Sequence, residues 1–134
     1  MIVVDSSVWV DFFNGIENEQ TDLLDDLLSR ERLLIGDIIL TEVLQGFRRD
    51  AEFQRARELL EALEFQAMLG KEMALRCAEN YRKLRKAGVT VRKTIDVMIA
   101  TFCIEGSHEL LHADCDFNAM EKHLGLKVVR RGRE

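Results

Sequence analysis

An α/β sandwich around a parallel sheet is the fold this sequence predicts, and three observations predict it. Short apolar stretches alternate with longer amphipathic ones, as the crossover connections of a parallel sheet require. No proline cuts any of the short stretches, because the chain contains none. The chain has 134 residues, 47% of them hydrophobic, which suits one domain with its own core. No internal repeat, low-complexity segment or linker divides it, so 1–134 reads as a single domain with a basic tail over about 130–134.

The elements follow in order. Ile2–Val4 is a short buried strand, and "SSVWVDFFN" is a helix with Ser6 or Ser7 as its N-cap, ended by Gly15. "EQTDLLDDLLSRE" places Leu23, Leu24, Leu27 and Leu28 on one helical face. "RLLIGD" is a second strand, and "IILTEVLQGF" a helix that Gly46 stops or kinks. "DAEFQRARELLEALE" is another helix, and "FQAML" a weaker strand closed by Gly70. "KEMALRCAENYRKLRKAG" is an amphipathic helix with Gly88 as its stop. "KTIDVMIATFCIEG" forms a helix with Ile95, Met98, Ile99 and Phe102 inward. "ELLHAD" is a strand, "CDFNAMEKHLG" a short helix and "LKVVRR" the last strand.

Composition narrows the class of protein. Charged residues make up 32% of the chain, above the ~25% typical of globular proteins, so the surface is highly charged. No apolar run approaches the ~20 residues that span a bilayer. No basic segment precedes the N-terminal apolar stretch, which speaks against a signal peptide. Cys77, Cys103 and Cys115 form an odd set without metal-ligand spacing, as expected of reduced, mostly buried thiols in a cytoplasmic protein. The formal net charge of −5 hides an asymmetry: residues 1–64 carry fifteen acids and six bases, residues 65–134 nine acids and thirteen bases. The bases gather in "YRKLRKAGVTVRK" and in the tail "KVVRRGRE". Such runs are either a solvated face or a strip that holds a polyanion beside an acidic centre.

The acids carry the chemistry. In an open parallel sheet, ligands gather at the carboxyl edge, where loops leave the strands and the returning helices begin. Asp5 directly follows the first strand; Asp114 directly follows "ELLHA", with Asp116 two residues on. Glu42 lies early in the helix after "RLLIGD", and Asp96 in the first turn of the helix before "ELLHAD". All therefore belong to one edge. Each also has a structural explanation: Asp5 as a helix cap, Asp96 at the positive end of a helix dipole, Asp114 and Asp116 as turn residues. Carboxylates packed together repel unless a cation joins them. With no histidine or cysteine in ligand spacing, an all-oxygen site suits Mg²⁺ or Mn²⁺ rather than zinc. Such ions orient and acidify water beside a phosphodiester, so metal-assisted hydrolysis of nucleic acid is the matching reaction.

"VVDSSVWVDFF", "LTEVLQG", "VRKTIDVMIA" and "LLHADCDFNAM", in this order, resemble the PIN-domain ribonucleases, and more narrowly the VapC-type toxins of toxin–antitoxin pairs. The likeness covers nearly the whole chain. It implies a three-layer sandwich with about five parallel strands and a Mg²⁺- or Mn²⁺-dependent endoribonuclease. By position it assigns catalysis to Asp5, Glu42, Asp96 and Asp114. Metal binding falls to Asp5, Asp96 and Asp114, with Asp116 assisting and Glu42 orienting a water or helping to hold a second ion. Ser7 matches a hydroxyl that lines the site, with helix capping as its structural alternative. Arg92 and Lys93 are candidates for contacts to flanking RNA phosphates, or ordinary surface bases.

The resemblance also implies a homodimer or a hetero-oligomer with a cognate VapB-type antitoxin, whose helix fills a groove near the site. Trp9, Phe12 and Phe13 either line part of that groove or belong to the core. A phosphoaspartate phosphatase needs a second acid two positions after Asp5, where Ser7 stands, and a receiver domain needs an acid pair where Ser6 stands. Two alternatives stay open: a non-catalytic PIN-like RNA- or protein-binding module, and an RNA-processing PIN nuclease outside any toxin–antitoxin pair.

Overall fold

The computed structural model describes residues 1–130; the basic tail expected over 130–134 lies, from position 131 on, outside the described residues. Five strands, β1 (Ile2–Val4), β2 (Leu33–Gly36), β3 (Glu64–Gln66), β4 (Glu109–Leu111) and β5 (Lys127–Val128), form one sheet in the order β3-β2-β1-β4-β5. Every pairing is parallel. The helices are α1 (Ser6–Phe13), α2 (Glu19–Arg30), α3 (Asp37–Leu44), α4 (Asp50–Glu61), α5 (Lys71–Lys86), α6 (Thr94–Glu105) and α7 (Asn118–Leu124). They flank the sheet in two groups: α1 packs on α2 and α3, and α5 packs on α6 and α7. This is the predicted three-layer sandwich.

Strand order sets the position of the site. The chain steps outward from β1 through β2 to β3, then returns past β1 to β4 and β5. Its direction reverses between β1 and β4, so the connections leaving those two carboxyl ends diverge and open a crevice there. β1 is covered on both faces, with Val3 and Val4 buried, which is why it reads as a continuous apolar run rather than an alternation. Around it Trp9, Leu24, Ile35, Ile39, Phe102 and Phe117 form the core. Trp9 therefore belongs to the core and not to a docking groove; its ring stacks on Phe13 at 5.9 Å, and Phe13 meets Phe47 at 5.6 Å.

Three local expectations are corrected. The third strand covers Glu64–Gln66 rather than "FQAML". It pairs only with β2 at the sheet edge, which leaves Phe65 exposed. Met68, just past the strand, turns inward and lies over Gly36, where an added Cβ would stand 2.0 Å from Met68 Cγ. Asp37 Oδ1 accepts the Met68 backbone N–H at 3.0 Å and fixes that turn. Next, Ile95 does not face inward: it is 38% exposed, while Ile99 and Phe102 are buried and Met98 is half-buried. Asp96 and Val97 in the same first turn are buried, so Ile95 is the outward residue there. Finally, Asp5, not Ser6 or Ser7, caps α1. Among the thiols, Cys77 and Cys103 are buried and Cys115 is exposed.

Candidate active site

Asp5 continues the β1 path by one residue, donating its backbone N–H to Leu111 O of β4 at 2.9 Å. Its backbone is still extended, so the side chain sits at the N-cap of α1. There Oδ2 accepts the Ser7 backbone N–H at 3.0 Å and the Ser7 hydroxyl at 2.6 Å. Ser7 Oγ in turn accepts the Ala113 N–H at 3.1 Å, so one hydroxyl joins the exits of β1 and β4. Ser7 thus lines the site and completes the cap. Ser6 Oγ donates to Glu42 Oε1 at 3.1 Å. Because α3 starts directly after β2, its second turn lies beside the start of α1.

From the other side of the crevice, Asp114 caps the short 3₁₀ turn Cys115–Phe117, its Oδ1 accepting the Asp116 N–H at 2.9 Å. The Asp114 backbone N–H donates to His112 Nδ1 at 3.2 Å. Asp96, in the first turn of α6, is only 4% exposed. Lys93 stands at the N-cap position of α6 and brings its Nζ to 3.4 Å from Asp114 Oδ2 and 3.7 Å from Asp96 Oδ2. Arg92 lies 3.7 Å from Asp116 Oδ1.

One depression is thus shared by Asp5, Ser7, Lys93, Asp96 and Asp114. Glu42 sits beside it through Ser6. Asp116 faces the neighbouring cavity, which meets the first at Lys93 and Asp96. Arg92 and Lys93 are not free surface bases, since both are ion-paired to site acids. Sequence reasoning passed over Cys115. Asp114, Cys115 and Asp116 offer ligand atoms within 4.8 Å of one another. The run D-C-D was the available signal, but those three are consecutive in one turn, so their closeness follows from adjacency. Asp5, Asp96 and Asp114 come from three separate parts of the chain, and that side holds the unsatisfied carboxylate oxygens.

Electrostatics express the crowding. Burial pushes Asp5 above the usual carboxylate range, against the pull of the two Ser7 hydrogen bonds. Burial also raises Asp96, to about 6, with Asp5, Asp114 and Asp116 adding to the rise and Lys93 opposing it. Glu42 is raised by burial, partly offset by Ser6. Asp114 is lowered, first by the Asp116 backbone N–H and then by Lys93. Burial works against the Lys93 ammonium, but Asp96 and Asp114 more than compensate and hold its pKa above the ordinary value.

Asp5 Oδ1 and Asp96 Oδ2 are buried and receive no hydrogen bond. A buried, unsatisfied carboxylate oxygen is costly, and direct coordination to a cation removes that cost. The donors available are carboxylate and hydroxyl oxygens, the set that suits a hard divalent ion. The residues therefore fit a metal.

The comparisons agree with this architecture. The chain is 28% identical over 140 residues to ribonuclease VapC11 of Mycobacterium tuberculosis, covering 96% of this chain and 98% of that one. Its fold is similar to that of VapBC2 from Rickettsia felis, solved bound to a promoter DNA fragment, at a TM-score of 0.76 and 18% identity over 96% of this chain and 98% of that one. A toxin–antitoxin complex from Klebsiella pneumoniae matches at a TM-score of 0.72 and 18% identity over 97% of both chains. Residues 2–123 match the sequence profile of the PIN domain, nearly the full length over which the sheet and its carboxyl-edge acids are laid out, and the chain belongs to the PIN domain family.

Proposed function

We propose that this protein is a Mg²⁺- or Mn²⁺-dependent endoribonuclease, the toxin of a toxin–antitoxin pair, working in the cytoplasm as a single catalytic domain over 1–134. One observation carries the reading: Asp5, Asp96 and Asp114 arrive from three elements at one depression, where two buried carboxylate oxygens lack donors. The similarity to VapC11, named a ribonuclease, and to VapBC complexes supports RNA as the substrate and a VapB-type antitoxin as the partner. It also supports a homodimer or a toxin–antitoxin hetero-oligomer. Among the described residues, no helix is long and apolar enough to cross a membrane.

Asp5, Asp96 and Asp114 would hold the metal, with Asp116 assisting. When bound, the ion neutralises charge on the scissile phosphate and makes water acidic enough to act as nucleophile at neutral pH. Ser7 keeps the Asp5 carboxylate in one orientation by engaging Oδ2, which leaves Oδ1 free to take a cation. Ser6 fixes Glu42 Oε1, which sets the direction in which the other oxygen orients a water. The N-terminus of α1 adds a positive dipole end near the phosphate. Arg92 and Lys93, both with exposed side chains, contact the flanking phosphates.

Purified full-length protein incubated with single-stranded RNA should cleave it with Mn²⁺ or Mg²⁺ and not with EDTA. Asp5→Asn and Asp96→Asn should each lower the rate by about 10²-fold or more. Equal cutting by wild type and both variants would place the activity elsewhere. A small open reading frame immediately upstream, encoding a DNA-binding protein, separates a toxin from an RNA-processing nuclease.

A further inference from the structure

We propose that Lys93 is a built-in cation that occupies the carboxylate centre until a metal enters, and thereby sets how tightly the metal is held; this rests on the metal site proposed above. Among the described residues lining the depression, Lys93 is the one that brings a positive charge, against Asp5, Asp11, Asp96 and Asp114. Its place in the chain accounts for this. The N-cap position of α6 lies three residues before Asp96, the spacing that stacks a side chain over the first-turn acid of a helix.

The contacts are those of a loose occupant. Nζ lies 3.4 Å from Asp114 and 3.7 Å from Asp96, longer than the ~2.7–2.9 Å of a charge-assisted hydrogen bond. The ammonium bridges two acids, donating one long hydrogen bond to Asp114 Oδ2 and none to Asp96. It leaves Asp5 Oδ1 and Asp96 Oδ2 without hydrogen-bond donors. The Lys93 side chain is 56% exposed, so it can swing out without disturbing the core. Arg92 differs: its contact is with Asp116, on the far side, and it does not line the depression.

A divalent ion entering this site competes with the tethered ammonium. Removing that ammonium removes a like charge within a few ångströms of the ion, which strengthens metal binding. Once displaced, Lys93 remains within its own length of the centre, a positive charge at the rim where a phosphate arrives. Metal loading and phosphate binding are then coupled through one side chain.

The test is calorimetric titration of metal-free, full-length protein with Mn²⁺, for wild type, Lys93→Met, Lys93→Gln, Lys93→Arg and, as a control at an exposed ion pair away from the site, Arg57→Met. Both neutral Lys93 variants should bind Mn²⁺ about tenfold more tightly than wild type. Lys93→Arg and Arg57→Met should stay within about threefold of it. Melting curves give a second reading: without metal Lys93→Met should melt below wild type, and saturating Mn²⁺ should raise its melting temperature more. Equal or weaker Mn²⁺ binding by Lys93→Met and Lys93→Gln, with wild type binding measurably, would overturn the role of Lys93 and leave the metal site standing. Absence of Mn²⁺ binding in wild type and all variants would overturn the metal site, and this inference with it.

Discussion

The Ser7 hydroxyl lies 2.6 Å from Asp5 Oδ2, close enough to hold that carboxylate in a single orientation, and it also accepts the Ala113 N–H. One oxygen therefore ties the exit of β1 to the exit of β4 across the crevice. Ser7→Ala removes both bonds. Metal affinity should fall by about 10-fold to 100-fold, as for other residues that orient a ligand, and stability by about 1 kcal/mol. Ser7→Thr should restore most of both. Calorimetry and urea unfolding measure the two effects separately, and unchanged metal affinity in Ser7→Ala would rule out the orienting role.

Asp96 makes metal-free stability depend on pH. Its folded pKa of about 6 lies above the ordinary 3.8, so the folded protein holds that proton more tightly than the unfolded chain. The resulting stabilisation is full below about pH 3.8 and is lost as pH rises through 6. Unfolding of wild type and Asp96→Asn in EDTA should show wild type losing stability relative to the variant across that window, then running parallel above it. Parallel curves from pH 4 to pH 7.5 would contradict the assignment.

Glu42 is bonded to Ser6, raised by burial and by the Asp5 charge, and lowered by Lys93. Glu42→Gln preserves the acceptor for Ser6 but removes the charge. RNA cleavage should drop by about 10²-fold, with the melting temperature nearly unchanged. Mn²⁺ affinity should change less than in Asp5→Asn. An equal loss of affinity in the two variants would make Glu42 a ligand.

Gly36→Ala tests the turn that covers the end of β2. An added Cβ would stand 2.0 Å from Met68 Cγ and 2.2 Å from Met68 Sδ, and Met68 is itself buried. Overpacking of this kind costs about 1–3 kcal/mol. Met68→Ala in the same chain should recover part of that loss, measured by urea midpoint.

The three thiols should separate under native conditions. Cys115 is exposed, Cys77 is buried, and Cys103 is buried with its pKa pushed up to about 12. Brief treatment with an alkylating reagent should modify Cys115 alone, as read by mass of the digested peptides. Modification of Cys103 at a similar rate would mean that the α6 core opens readily.

Local chemistry in the sequence determined the alternation of strands and helices, the exact extent of β1 and the assembly of the acids at one sheet edge. Asp5 and Asp114 were legible because each follows an apolar run directly, and strand ends in a parallel sheet share an edge whatever the details. Periodicity reports burial within one element, and there it sufficed. The tertiary structure decided what depends on partners distant in the chain. The Asp5 cap on α1 is local, but the second partner of the Ser7 hydroxyl is not, since Ala113 reaches it from the exit of β4. β3 shrank to Glu64–Gln66 because Met68 is better buried over Gly36 than extended along an edge. Ile95 is exposed although Asp96 and Val97 beside it are buried, a difference set by what packs on the start of α6 and not by its apolar spacing. The ammonium of Lys93 lies among the acids because three elements converge on it, and a side chain's direction follows the field and space its distant neighbours create, which no run of adjacent residues encodes.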